Sequence, residues 1–356
     1  MQRIIGAALA GLAAAGTAAA QGVTIGGVAD AALRHVRNEG LGAVSSLVSG
    51  SNSTSRLIVR GSEDLGAGLS AAFHLEHGLL LDSGAPASST LFWDRRATVS
   101  LASKTLGEVR AGRDFVPSYV NWSRYDPFSY VGVAGSTHLI SATPNGPIRA
   151  AFGSAPNSVV RASNAVQWLA PSGWGGLEAG VMLAAGEGGT AANGQHKVIG
   201  ARLGYTASAF SVSAASTRTR NDLTGTDRFD DHAVAGAYDF GPVRVSAAWR
   251  RFALAEASQT NLMLGAWVPM GQGELKASWQ KADFGGRVGS TAIDGNSARK
   301  LGLGYVHNLS KRSALYGTLA QISNRGASAT AVPGGASGLA AGGSSRGIEF
   351  GVRHNF

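Results

Sequence analysis

Cysteine is absent from this chain. In an exported protein that excludes a disulfide framework, and in any protein it excludes thiolate metal sites and cysteine nucleophiles. Long apolar runs are missing too: after the first twenty residues no stretch of 18 uninterrupted apolar residues occurs, which excludes a transmembrane helix. Charge is scarce, with Asp, Glu, Lys and Arg at 15% of 356 residues. Basic residues outnumber acidic ones, 31 to 22, but they are spaced singly. With no Lys/Arg block and no recognition-helix pattern, nucleic acid is not an expected partner. The chain also lacks HExxH, a metal-spaced histidine cluster and a GxSxG context, so no metal, cofactor or enzymatic activity is expected. His74 and Glu76 share a strand face but read more simply as polar wall than as half a metal site. Asp230-Asp231-His232 reads as solvated.

Small residues fill much of the chain, and Gly alone takes 51 positions. Residues 1–20 carry one charge, Arg3, then an apolar stretch and Ala18-Ala19-Ala20, the order of a secretory signal peptide cleaved after Ala20. From Gln21 onward, segments of about ten to fourteen residues alternate with period two. Leu69, Ala71, Phe73 and Leu75 alternate with Ser70, Ala72, His74 and Glu76. Val243, Val245, Ala247 and Trp249 alternate with Arg244, Ser246, Ala248 and Arg250. In the last segment, Ile348, Phe350, Val352 and the terminal Phe356 oppose Glu349, Arg353 and Asn355. Strands apolar on one side and polar on the other, in a chain without core-forming helices, suit a barrel whose outer face meets lipid and whose inner face meets water. Seven short turns, such as Ser103–Gly107 and Phe240–Pro242, alternate with eight longer polar loops, such as Asn38–Ser53, Gly285–Asn296 and Gly326–Gly343. This predicts one all-β domain, residues 21–356, a transmembrane antiparallel barrel of sixteen strands with both chain ends on the short-turn side.

One connection is far longer than the rest. Between Asp114 and Val159 about 44 residues lack alternation, a length that is usually functional or disordered. Tyr119, Trp122, Tyr125, Phe128, Tyr130 and Phe152 argue against disorder, and the barrel interior is the place for such a loop to pack. Its acids are few: Phe115–Ser158 holds Asp126 alone, with Asp114 at its entrance, beside Arg124, Arg149 and His138. By parity Arg56 and Arg60 share the interior face, and Arg161, Ser163 and Gln167 oppose Val160, Val166 and Trp168. Arg110, Arg244, Arg250 and Lys276 have interior parity, as do Asp30, Glu76, Glu108 and Glu274. Arg96, adjacent to Arg95, is expected to point outward.

Several segments together resemble the trimeric general porins of Gram-negative bacteria, in the branch common in beta-proteobacteria. Val23–Ala31 resembles the family's first strand, and Ser55-Arg56-Leu57-Ile58-Val59-Arg60-Gly61-Ser62-Glu63-Asp64-Leu65-Gly66 its second strand and first short turn. Arg95–Leu101 resembles the fourth strand, and Gly112-Arg113-Asp114 and Arg161–Trp168 flank the long third loop. Gly351–Phe356 closes the chain in the family manner. The resemblance implies a homotrimer of sixteen-stranded barrels in the outer membrane, with the third loop folded inward to narrow each lumen. It implies an arginine row at Arg56, Arg60, Arg95 and Arg161, and a terminal aromatic, Phe356, read by the barrel-assembly machinery. Where the family usually has an aromatic in the first strand this chain has Gly26, and the acidic wall that usually faces the arginines is reduced to Asp114 and Asp126.

The expected function is passive diffusion of small hydrophilic solutes, anionic or neutral, through a water-filled pore. Guanidinium rows raise the local anion concentration and repel cations, so anions are preferred. The expected partners are outer-membrane lipid and lipopolysaccharide, the barrel-assembly machinery and two further copies of the chain. Two alternatives remain open from sequence: a substrate-selective anion channel of the same fold, and a barrel used for surface binding or adhesion.

Overall fold

The period-two segments close on themselves in this computed structural model, which describes residues 22–141, 145–153, 159–191 and 195–356; the expected signal peptide lies outside the described residues. Strand β1 is Thr24–Asn38, and β2 comes in two pieces, Ala43–Ser49 and Arg56–Gly66. Then follow β3 (Leu69–Gly78), β4 (Arg96–Ser103), β5 (Gly107–Phe115), β6 (Arg161–Leu169), β7 (Leu177–Ala184) and β8 (Lys197–Thr206). The second half holds β9 (Phe210–Arg220), β10 (Phe229–Asp239), β11 (Arg244–Leu254), β12 (Ala257–Met270), β13 (Gly273–Gly285), β14 (Ser297–Asn308), β15 (Ser313–Arg325) and β16 (Ser344–Asn355). Each strand pairs antiparallel with its sequence neighbour, and β16 returns to β1 from Val28↔Asn355 to Asn38↔Ser345. The result is a closed sixteen-stranded barrel with no free sheet edge.

β2 is split because residues 50–55 leave the ladder between its two registers against β1. Asp30 holds that excursion: its carboxylate accepts from the backbone N–H groups of Ser51, Asn52 and Ser53 at 3.1, 3.0 and 2.7 Å. The loop expected over Asn38–Ser53 is therefore mostly strand, with a tight turn at 39–42. Its Ser-rich sequence is polar, but Val44, Leu47 and Val48 pair with Val36, Leu33 and Ala32 across the hairpin. The connection between β11 and β12 is likewise only Ala255 and Glu256, with Ala255 in the left-handed region at φ 49°. The remaining long connections fall on the expected side of the barrel.

Alternation separates the two faces. Val212, Val234, Leu264, Leu301, Leu319 and Phe350 are exposed on the outer face, while Ser213, Ala235, Met263 and Ala320 on the inner face are buried. What buries them is the segment 116–160. Pro117 starts α1 (Pro117–Ser123) and Pro147 starts α2 (Gly146–Phe152), each with proline in the first turn where its missing N–H is not needed. A 3-10 turn, Ser136–Leu139, lies between them.

The apolar core of the molecule sits where this segment meets the wall. Trp122, Tyr125, Ile148 and Phe152 pack with Phe229, Phe252 and Met263, and Phe128, Val133, Ala134 and Leu139 pack with Ala282, Ala298, Ala320 and Ile322. Each large apolar side chain so buried contributes about 2 kcal/mol. The wall is shaped for the approach: a Cβ on Gly302 of β14 would stand 2.6 Å from the Cβ of Ala134.

Polar side chains of the wall secure the loop backbone. Ser246 donates to the Tyr125 carbonyl (2.8 Å), Gln259 to that of Leu139 (2.7 Å) and Gln280 to that of Ala134 (3.2 Å). The buried Lys300 ammonium donates to the carbonyl of Gly135, and Glu349 accepts from the N–H of Val133 at 3.0 Å. At the loop's roots Arg250 and Asp231, both buried, form a two-pronged ion pair at 2.7 and 2.9 Å. Ser118 Oγ donates to the same carboxylate and Arg250 to the Val159 carbonyl, so the pair ties both ends of the segment to β10 and β11.

Candidate functional site

Arginines gather on the inner face between β2, β3, β4 and β6. Arg56 enters from β2 and Arg95 from the residue before β4, and both reach Glu76 of β3, at 3.2 and 2.5 Å. Arg161, the first residue of β6, donates from Nε to the Arg95 carbonyl at 2.8 Å and lies over the Phe115 ring at 4.5 Å. Tyr119 of α1 stacks on the other partner of that contact, Phe115, at 4.9 Å. Two guanidinium groups thus meet one carboxylate and a third, Arg161, stands beside them, with aromatic surface and a backbone carbonyl offsetting part of their repulsion.

Arg60 does not belong to this cluster. It stands two pleats further along β2, past Ile58 and opposite His74, in a cavity of about 340 Å³ shared with Arg96, Thr98, Ser100 and Glu108. Among the described residues Arg60 forms no ion pair. Arg96 corrects its expected outward direction. Thr98 and Ser100 face inward while Val99 and Leu101 are exposed, so Arg96 is an interior residue that meets Asp114 at 3.4 Å and Thr98 at 3.2 Å. Arg95 reaches the interior because it precedes the strand and is free of its alternation.

Parity fails again in β6, where the face shared by Arg161, Ser163 and Gln167 does not survive. Asn164 takes φ 53° at a register shift against β5, so one extra residue separates Ala162 from Ala165, both buried inside. Gln167 faces the interior beyond this bulge, and Ser163 instead accepts from Arg113 of β5 at 2.8 Å.

The acids fall out unevenly. Asp114 is taken by Arg110 at 2.7 Å, by Arg96 and by the Phe115 N–H, and Glu108 is bridged by Arg110 at 2.9 Å. Asp126 does not face the arginines. Its buried carboxylate accepts from the N–H groups of Phe128, Tyr130 and Ser136 and from Ser136 Oγ, which organises the loop from within. Burial holds the His138 imidazole well below its ordinary pKa, so this loop histidine is neutral. On the loop Val120 is exposed and Ser123 and Arg124 are half-buried, and among the described residues none of its exposed or half-buried groups is a carboxylate.

Arg244 packs over the Trp267 ring at 4.9 Å, and Lys276 pairs with Glu274 at 3.4 Å near the short-turn end. Residue counting missed a bridge there: Glu178 of β7 accepts from loop residue Arg124 at 2.7 Å and from Arg202 of β8 at 2.9 Å. It also missed Arg34, whose interior parity on β1 is plain, and which pairs with buried Glu349 at 2.9 Å. Phe356 lies on the outer face, where its ring covers Gly27; its N–H and carbonyl exchange hydrogen bonds with Gly27, both at 3.1 Å. A Cβ on Gly27 would stand 2.5 Å from that ring.

A closed barrel with a loop packed on its inner face and an arginine cluster beside that loop is the architecture of a diffusion channel. The Gram-negative porin family model matches residues 6–327, and the chain belongs to that family. It is 36% identical to outer membrane porin protein 32 of Delftia acidovorans, over 98% of each chain. An outer membrane porin of Bordetella pertussis is 24% identical over 76% of this chain and 77% of that one. Among solved structures, an anion-selective porin from Comamonas acidovorans matches with a TM-score of 0.81 at 33% identity, covering 94% of this chain and 99% of that one. The OmpT outer membrane protein of Vibrio cholerae shares the fold at a TM-score of 0.65 and 12% identity, covering 94% of this chain and 98% of that one. The chain is an outer-membrane porin, a passive diffusion channel of a family that is not one of enzymes.

Proposed function

We propose that the pore prefers anions and that its filter is the cluster of Arg56, Arg95 and Arg161 facing the 116–160 loop. The observation that carries this reading is the charge balance there: three guanidinium groups stand beside one carboxylate, Glu76, which only Arg56 and Arg95 reach, and the loop side exposes no carboxylate among the described residues. The loop narrows the lumen, Arg60 adds positive charge toward the short-turn end, and small anionic or neutral solutes pass. The two relatives' own descriptions, one of them an anion-selective porin, support the reading. Residues 1–20 act as the signal peptide, Phe356 as the assembly signal for the barrel-assembly machinery, and lipid with lipopolysaccharide surrounds the barrel. A homotrimer is the assembly we expect; one of the structures sharing the fold is a trimer form.

Replacing Arg56, Arg95 and Arg161 together by Ser tests the filter in a planar bilayer under a KCl gradient. The expected result is a zero-current potential displaced toward cations with unitary conductance retained. An ion preference equal to that of the unmodified channel would remove these residues from the filter.

A further inference from the structure

Arg60 stands in a row that crosses the inner face from β1 to β5. Thr24 faces Arg60, Arg60 faces His74, His74 faces Thr98, and Thr98 faces Gly112. The neighbouring row toward the short turns runs through Ser62, Ala72, Ser100 and Arg110. Ala72 puts only a methyl group among longer side chains, and the cavity of about 340 Å³ opens there, away from the Arg56, Arg95 and Arg161 cluster.

The other charges around this cavity are already engaged. Arg96 meets Asp114 at 3.4 Å and donates to Thr98 Oγ1 at 3.2 Å and to His74 Nδ1 at 3.4 Å. An arginine can only donate, so His74 Nδ1 accepts and its Nε2 carries the proton, 3.5 Å from Glu76. Glu108 is gripped by Arg110, Nε to Oε1 at 3.1 Å and Nη2 to Oε2 at 2.9 Å. Among the described residues Arg60 has neither an ion pair nor a side-chain hydrogen bond.

The cavity therefore presents one unengaged guanidinium, several hydroxyls and one carboxylate. Thr98 accepts from Arg96 and keeps its own O–H to donate. Each oxygen of Glu108 retains lone pairs beyond the one Arg110 uses. A halide gains nothing from Glu108. Sulfate, with no proton on any oxygen, meets that carboxylate only as repulsion. An oxyanion that keeps an O–H can donate to Glu108 while it accepts from Arg60 and the hydroxyls, and inorganic phosphate is such an ion.

We propose that this cavity is a binding site for inorganic phosphate, separate from the filter: Arg60 and the hydroxyls of Ser62 and Thr98 hold its oxygens, and Glu108 accepts from its P–OH group. Phosphate is thereby preferred over sulfate, because a site built to accept a hydrogen bond rejects the analogue that lacks the donor. The inference rests on the reading of the lumen as a path for anions. The zero-current potential in KCl reads that path and phosphate binding reads the cavity, so each can fail alone.

The test is binding of inorganic phosphate to the purified, folded porin at about pH 6, where phosphate keeps a proton, read by broadening of its phosphorus NMR signal with sulfate as competitor. The expected result is saturable broadening that sulfate displaces only at about tenfold higher concentration, the factor that one hydrogen bond to a charged group supplies. Displacement by sulfate at the same concentration as phosphate would overturn the proposal. The broadening should persist when Arg56, Arg95 and Arg161 are all replaced by Ser, and vanish in Arg60→Ser. The reverse pattern would put the phosphate at the filter and overturn the proposal too. Glu108→Gln removes the repulsion of sulfate, so the two ions should then compete about equally. A Glu108 variant with the parent's preference for phosphate would contradict the assigned role of that carboxylate and, with it, the site.

Discussion

Glu76 is the single side chain on which the balance of the arginine cluster turns. Its carboxylate meets Arg56 and Arg95 and is only partly open to water. Removing one partner from such a buried arrangement leaves uncompensated charge and costs about 3 kcal/mol. Glu76→Gln is therefore expected to make the folded barrel easier to unfold while strengthening its anion preference. Unfolding in denaturant and a zero-current potential measure the two effects, and a stronger cation preference in this variant would sink the assigned role of the cluster. The identity of these residues was legible in sequence because strand motifs place Arg56 and Arg161 beside an acid-poor loop. Their distribution was not. Arg95 and Arg96 are adjacent, and which of them points inward depends on where the strand begins. Arg60 shares a face with Arg56 but stands two pleats away, in a different cavity. Asp126 reads as an acid available to the pore, yet its neighbours in the loop use all of it.

At the scale of elements, the long loop and the closing strand depend on missing side chains. Gly302→Val would set a branched side chain against Ala134, whose Cβ already lies 2.6 Å from the position of a first carbon. Overpacking of this kind costs about 2 kcal/mol and pushes the loop away from the wall. A lower unitary conductance is the expected outcome in single-channel recordings; an unchanged value would show that the loop yields without entering the lumen.

Gly27→Leu should displace the Phe356 ring and weaken closure of β16 on β1, where Gly27 and Phe356 exchange two hydrogen bonds. The yield of folded barrel, read by heat-modifiable electrophoretic mobility, is expected to fall about as far as in Phe356→Ala. A full yield in the Gly27 variant would separate the ring contact from closure. Strand alternation in sequence foretold the barrel and the side on which each connection falls, though the connections at 39–42 and 255–256 are short where long loops were expected. It did not reveal the bulge at Asn164, because one residue of left-handed backbone shifts every face after it. Nor did it separate the strand Ala43–Ser49 from a polar loop, because serines on a wall and serines in a loop look alike.

For the whole molecule, the charges that favour anions are guanidinium groups, which keep their proton at any physiological pH. The sign of selectivity is therefore expected to be the same from about pH 5 to pH 9 in zero-current potential measurements. A reversal of sign within that range would show that guanidinium groups do not control the preference. The fold was predictable at this scale because each segment alone is weak evidence while sixteen in succession leave one architecture that satisfies the backbone in lipid. That the long loop packs inside was legible from its aromatics, but its fastening was not, since it rests on hydrogen bonds between residues more than a hundred positions apart, such as Lys300 with Gly135 and Glu349 with Val133.

The most direct test of the central claim is the zero-current potential of the unmodified channel in a planar bilayer under a tenfold KCl gradient. An arginine cluster facing a loop whose one acid, Asp126, is buried predicts stepwise conductance and a potential of the sign set by chloride. A potential of the sign set by potassium would contradict it, and would show that Glu76, Glu108 and Glu178 outweigh the arginines in the path the ions take.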